Sequence, residues 1–195
     1  SFRIIDDDNL LLYDLRFSPG TIIAWQKSGG GVQFAKILTA SYAADYVTFT
    51  IIGNTLSAGF SGMYYCIYRA QEDRWIIPGM MPAAAQTAIG KQVIWLEDRY
   101  VFSAKVMYGT APTTTGGVWD INDDGSTIFS SKPSISAGST SGTEVVSNSL
   151  AGTATTAVAA ASRVTLDYDS GHATTPGSDA YIILWSMPKA LRYLP

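Results

Sequence analysis

The stretch Val118–Pro133, VWDINDDGSTIFSSKP, decides the fold, because its DINDDG can be a calcium loop between helices, a catalytic acid cluster or a turn between strands. Asp120, Asn122, Asp124 and Gly125 have the spacing of the first half of an EF-hand loop, in which alternate oxygens wrap a hard cation and glycine permits a sharp bend. The second half does not follow. Its twelfth position is Ser131 where a bidentate Glu is needed, and the flanks GVW and STIFS read as strands where helices are needed. NDDG, set between Val118–Ile121 and Thr127–Phe129, has instead the chemistry of a hairpin: Asn and Asp favour the turn and Gly accepts a positive φ. The stretch is read as a β-hairpin, with Asp120, Asn122 and Asp124 retained as candidate calcium ligands, since surface turns of this kind can hold the ion.

Strand periodicity extends on both sides of the hairpin. In RYVFSAKVMYG, the residues Tyr100, Phe102, Ala104, Val106 and Tyr108 share one face, with Ser103 and Lys105 on the other. RVTLDYD sets Val164, Leu166 and Tyr168 against Arg163, Thr165 and Asp167, and AYIILWSM is apolar on both faces, as a strand central to a sandwich would be. Upstream, YVTFTI alternates, and TIIAWQKSGGGVQFAKI reads as two strands around a glycine turn. No stretch carries a long, capped 3.6-residue period; AQEDRW and MMPAAAQTAIG suggest at most a short helical turn. Between Gly125 and Ser162 only Lys132 and Glu144 are charged, a composition that suits exposed short strands and loops. The fold class is mainly β: an antiparallel, jelly-roll-like β-sandwich of about eight strands over residues 71–195, with a smaller β-rich lobe or attachment arm over residues 1–70.

A chain of 195 residues buries roughly 70% of its unfolded surface, so no covalent staple is required. Cys66 is the sole cysteine, which excludes an internal disulfide or a thiolate zinc site, fits a reducing compartment, and is read as a buried apolar thiol. Charged residues are only 15% of the chain and the net charge is −3, so nucleic acid is not an expected partner. No apolar run reaches the roughly 18 residues of a membrane span, so no membrane association is expected. SFRIIDDDNL lacks the basic head and apolar centre of a signal peptide, and Ser1 is the kind of residue left by removal of an initiator Met; the chain is expected to be nearly complete.

Several motifs offer chemistry. DYDSGHATTPGSDAY gathers Asp167, Asp169, His172 and Asp179, and Asp169-Ser170-Gly171 matches the short aspartic-protease signature, in which two Asp share a proton. A loop between strands with solvated acids is the preferred reading. GFSGM around Ser61 lacks the final glycine of a nucleophile elbow, and KSGGGVQF lacks the GK[ST] and helix of a phosphate loop. Tyr64, Tyr65, Tyr68 and Trp75 suit core packing, a subunit contact or sugar stacking.

VFSAKVMYGTAPTTTGGVWDINDDGSTIFSSKPSISAGST, continued by SRVTLDYDS and DAYIILW, looks like a β-sandwich module of tailed-bacteriophage structural proteins. The resemblance covers about Trp75 to Met187. It rests on Gly109–Pro112 as a strand-end turn, Asp120–Phe129 as the hairpin, Lys132–Thr140 as a bend, Thr165–Asp169 as a strand, and Asp179–Trp185 as the apolar closing strand. AAASR at Ala159–Arg163 departs from the family's acidic turn, and residues 1–70 fall outside the likeness. The resemblance implies a virion component without catalysis, cofactor or active-site residues. A compact chain without heptads or repeats suits a capsid decoration or cement protein better than a fibre, with a receptor- or glycan-binding tail or fibre tip, through Thr113–Thr115 and His172–Ser178, as the alternative. The expected partners are the major capsid protein and copies of the chain itself, preferably as a trimer. Phe2, Ile4, Leu11, Tyr13, Phe17 and Trp25 are the expected interface anchors, with filling of their own lobe's core as the other reading.

Overall fold

The structure, a computed structural model, describes residues 2–5, 19–27, 32–43, 46–53, 60–152, 155–170 and 175–189. The described residues divide into two compact units, the first running to Gln71 and the second from Glu72 to Lys189. Residues 190–195, expected to belong to the sandwich, lie outside the described residues.

The first unit is a five-stranded sheet of β1 (Phe2–Ile5), β2 (Thr21–Lys27), β3 (Val32–Ala43), β4 (Tyr46–Gly53) and β5 (Phe60–Arg69), in the order β1-β4-β3-β2-β5. All its pairings are antiparallel. The expected strands on either side of the glycine segment pair as β2 and β3, from Ile22↔Lys36 to Gln26↔Val32. Ile22 and Ile23, neighbours that point to opposite faces, are both fully buried, so both faces are covered at β2. Trp25 is fully buried as well, and its indole donates to Gln33 Oε1 at 2.9 Å, which satisfies the one polar atom of the ring.

The second unit is an antiparallel β-sandwich. One sheet runs β10 (Ser126–Thr127), β9 (Gly117–Asp123), β14 (Arg163–Ser170), β7 (Val93–Ile94), with β11 (Ser134–Ile135) also on β9. The other runs β12 (Glu144–Ser147), β8 (Arg99–Thr110), β15 (Ser178–Pro188), β6 (Gln71–Met80), with β13 (Thr156–Val158) also on β8. Each sheet thus has one edge made of two short strands in tandem, drawn from the Ser/Thr/Ala/Gly-rich segment. Trp119, Ile121, Leu166 and Tyr168 of the first sheet share one core with Val106, Tyr108, Ile182 and Leu184 of the second. Among the described residues there is no helix; AQEDRW, expected to turn helically, opens β6 because alternate residues Asp73 and Trp75 are buried while Arg74 and Ile76 are exposed.

The long strand β8 corrects the expected alternation. Trp185 pairs with Ser103 and the next residue, Ser186, with Val101, so Phe102 is an extra residue in a β-bulge. Core-facing positions therefore run Val101, then Ala104, Val106 and Tyr108, and Tyr100 leaves the face it was expected to share. A bulge changes the phase of a period-two pattern, and sequence alternation cannot register it.

Gly117 is fixed by a close approach. Trp119 donates its indole N–H to Tyr108 Oη at 3.0 Å, and this brings the Tyr108 hydroxyl over the Gly117 backbone, where a Cβ would overlap it. Gly117→Ala is expected to lower the unfolding free energy by about 2 kcal/mol, the cost of overpacking a rigid core. Denaturant unfolding of the full chain checks this, and a loss below about 0.5 kcal/mol would show that the Tyr108 ring yields freely.

Candidate functional site

The DINDDG stretch is a two-residue hairpin. Asp123↔Ser126 and Asn122↔Thr127 close it, and Asp124 and Gly125 form the turn with φ of 47° and 86°, the pair of positive angles a type I′ turn requires. Asp124 is held by an exchange with β14: its N–H donates to the Arg163 carbonyl at 3.0 Å, and its Oδ1 accepts from the Arg163 N–H at 2.9 Å. The turn is thereby tied to a strand distant in sequence.

Alternation along β9 sends Trp119 and Ile121 into the core and Asp120 and Asn122 to the outer face, yet both of these are buried too. Asp120 lies directly opposite Asp167 of β14, a like-charge pairing that is destabilising unless each carboxylate has donors of its own. Each has them. Asp120 Oδ1 accepts from Thr127 Oγ1 at 2.5 Å, and its Oδ2 is 2.8 Å from Lys132 Nζ. Asp167 accepts from the Ala88 N–H at 2.8 Å and from Asn122 Nδ2 at 2.9 Å. Lys132 also reaches Asp169 Oδ2 at 2.6 Å, and Asp169 is the extra residue of a bulge, since Tyr168 pairs with Trp119 and Ser170 with Val118. Hydrogen bonds to Asp120 and then to Asp169 push the Lys132 ammonium up from its ordinary pKa, against a smaller opposing effect of burial.

This arrangement gives the acids their role. Asp120, Asn122 and Asp124, the candidate calcium ligands, do not converge on one centre: the first is engaged by Lys132 and Thr127, the second by Asp167, the third by backbone of Arg163. Among the described residues, no group of three or more His, Cys, Asp or Glu is placed to hold a metal ion. Of the DYDSGH acids, Asp167 and Asp169 lie on this outer face, whereas Asp179 belongs to the other sheet, where its Oδ1 accepts from the Gly79 N–H at 2.8 Å. His172 lies outside the described residues. The acids missed by sequence reasoning are Asp123, whose buried Oδ1 has no partner and whose carboxyl is pushed up by desolvation, and Asp73, which accepts from the Trp95 indole at 3.1 Å.

Of the expected interface anchors, Trp25 is a core residue of the first unit, because its fully buried ring leaves no surface for a partner. Phe2 and Ile4 lie in β1, but their side chains, and Leu11, Tyr13 and Phe17 altogether, lie outside the described residues. Trp75 takes the core reading and donates to the Lys91 carbonyl at 2.8 Å; the side chains of Ser61, Tyr64, Tyr65, Cys66 and Tyr68 on β5 are not described.

A second surface has no counterpart in the sequence analysis. The outer face of sheet β12-β8-β15-β6 carries a mostly apolar groove of about 220 Å³ lined by Arg74, Ile76, Met107, Glu144, Tyr181 and Ile183, among others. Ile76, Tyr181 and Val146 are all exposed on this face, with Ile76 at 61%. AYIILWSM is the central strand expected, between β8 and β6: residues 184–187 are buried on both faces, and only at Tyr181 and Ile183 does the outer face open onto the groove.

The class defined by this geometry is an antiparallel β-sandwich joined to a smaller β-sheet unit. No family model and no curated protein matches the chain. Among solved structures it is similar to a chain in the structure of infectious bursal disease virus Gx strain, at 10% identity and a TM-score of 0.20, over 98% of this chain and 61% of that one. The chain thus spans less than two thirds of that relative's length, and a likeness at this TM-score carries no functional weight.

The ion-pair network makes a specific demand on stability. Removing the cation from a buried carboxylate costs 3–5 kcal/mol in fully buried pairs, and exposure of 38% of the Lys132 side chain reduces the expected cost of Lys132→Met to about 2 kcal/mol. Adding Asp120→Asn to that variant should recover part of the loss, which a double-mutant cycle in urea measures; strict additivity would show that the two groups do not act as a pair.

Proposed function

We propose that this protein is a non-enzymatic structural component of a tailed-bacteriophage virion, of the capsid decoration or cement type. The observation that carries this reading is the division of labour on the sandwich: the acids offered by the sequence as catalytic groups hold the fold together, while the opposite face presents apolar surface to the outside. Groups already committed to Lys132 and Asn122 are poorly placed to exchange protons with a substrate, and apolar exposure is what an assembling surface requires. The motif likeness to phage virion modules supplies the particular context.

On this reading the work is area burial. Interfaces of about 1,200 to 2,000 Å² each, repeated over a lattice, hold neighbouring capsomers against internal pressure. The major capsid protein and further copies of the chain are the partners, and the virion assembled in the host cytoplasm is the location.

Purified chain incubated with assembled capsids is expected to co-sediment at a fixed stoichiometry and to ignore unassembled capsid subunits. Absence of capsid binding, with saturable binding to a cell-surface glycan, would replace decoration by receptor recognition. Hydrolytic turnover abolished by Asp169→Asn would overturn the structural reading altogether.

A further inference from the structure

We infer that a polar cavity on the outer face of sheet β10-β9-β14-β7 binds one neutral sugar ring, held through its neighbouring hydroxyls. It uses none of the Thr113–Thr115 or His172–Ser178 residues of the receptor-binding alternative. The inference concerns the isolated chain and stands whether or not that chain coats a shell.

The cavity follows from the shortness of β7, of which only Val93 and Ile94 pair with β14, at Val164 and Arg163. Beyond them the chain before β7 takes over the edge. The Ile89 N–H donates to the Leu166 carbonyl at 2.8 Å, and Gln86 and Tyr168 exchange backbone hydrogen bonds in both directions. A space of about 320 Å³ is left over β14. Its floor is Arg163, Thr165 and Asp167, alternate residues of the strand and so one outward row. Thr87 and Gln92 of the incoming chain line one side, and the Asp124-Gly125 turn lines the cavity as well. Ala88, between Thr87 and Gln92 in the lining, sits at φ 53°, left-handed backbone that a residue with a Cβ rarely adopts, and its N–H is pinned to Asp167 Oδ1 at 2.8 Å. Strain of this kind persists only where the surroundings enforce it, and it gathers at ligand clamps.

Elsewhere on this face the polar side chains are engaged with one another, as Lys132 is with Asp120 and Asn122 with Asp167. The cavity is different. Among the described residues, nothing donates to or accepts from the side chains of Thr87, Gln92, Thr165 or Arg163, and Asp124 keeps Oδ2 uncommitted after Oδ1 has taken the Arg163 N–H. Unused hydrogen-bonding groups from three segments of the chain therefore line one space.

Charge selects the ligand. The Arg163 guanidinium only donates, and the Asp124 and Asp167 carboxylates only accept. A phosphate meets two anions beside its one cation, and an ammonium meets the guanidinium. Adjacent hydroxyls on a ring meet both needs, since each donates to a carboxylate while accepting from the guanidinium, the Gln92 amide or a threonine hydroxyl. The volume lies at the small end of ligand pockets, roughly 300–1,000 Å³, which suits one ring rather than an extended chain.

Titration of the full chain with methyl glucoside, methyl galactoside and methyl mannoside, followed by NMR shifts, tests this. At least one is expected to move the Thr165 and Gln92 signals saturably, with a Kd on the order of 1 mM, as suits an open site with few hydrogen bonds. Arg163→Met and Thr165→Val should each raise that Kd about fivefold or more, the loss of one hydrogen-bonding group to the ligand. Thr113→Val should leave it unchanged, and circular dichroism reports whether each variant keeps the fold. No saturable shift with any of the three at about 100 mM, unchanged affinity in both cavity variants, or shifts confined to Thr113–Thr115 would each overturn the inference. So would saturable binding of inorganic phosphate or ethylammonium at these residues with no response to the glycosides. Capsid co-sedimentation reads the decoration proposal separately, so the failure of one is distinguishable from the failure of the other.

Discussion

Asp120 is the constraint around which the sandwich is arranged. Alternation along β9 puts its carboxylate on the outer face, between Trp119 and Ile121 that point inward, and the chain then buries it. A buried carboxylate is tolerable only with a countercharge and a full set of hydrogen bonds. Lys132 supplies the charge and Thr127 the hydroxyl, the latter from the hairpin's second strand and the former from the segment that follows it. Lys132 reaches on to Asp169, so one ammonium joins the hairpin, its outgoing segment and the bulged end of β14. Asp167, opposite Asp120, is satisfied differently, by hydrogen bonds from Asn122 and the Ala88 amide, and this draws the chain before β7 onto the same face.

Much of the architecture was legible in the residues. Asp124-Gly125 chemistry named the hairpin, and alternation found β4, β14 and the β2–β3 pair. Apolar residues on both faces of AYIILWSM did mark a central strand, β15, buried on both faces over residues 184–187. Period-two reasoning assigns every residue to one of two faces, so it misplaced Tyr100, where the Phe102 bulge shifts the phase. AQEDRW was ambiguous because six residues with mixed polarity fit a helical turn as well as a strand; tertiary burial of Trp75 decided it.

The candidate site was legible only as a set of acids. Its organising cation carried a signal, since Lys132 and Glu144 are the only charges between Gly125 and Ser162, and each ends in an ion pair. A lone lysine in a nearly neutral segment, a few residues beyond a strand that buries an acid, marks a structural partner. What spacing cannot show is convergence. Asp120, Asn122 and Asp124 have EF-hand intervals, but an extended strand separates ligands that a calcium loop would wrap together. The two outer faces of the sandwich consequently differ in kind, one knitted by charge and the other carrying an apolar groove.

The central claim is that the chain's own lysine fills the cationic role that DINDDG suggests for calcium. Thermal unfolding of the full chain in millimolar calcium and in chelator tests it most directly, because an ion that binds only the folded state must raise the midpoint with concentration. The account predicts coincident transitions. A midpoint that climbs with calcium and saturates, and that loses this response on Asp120→Asn, would contradict it.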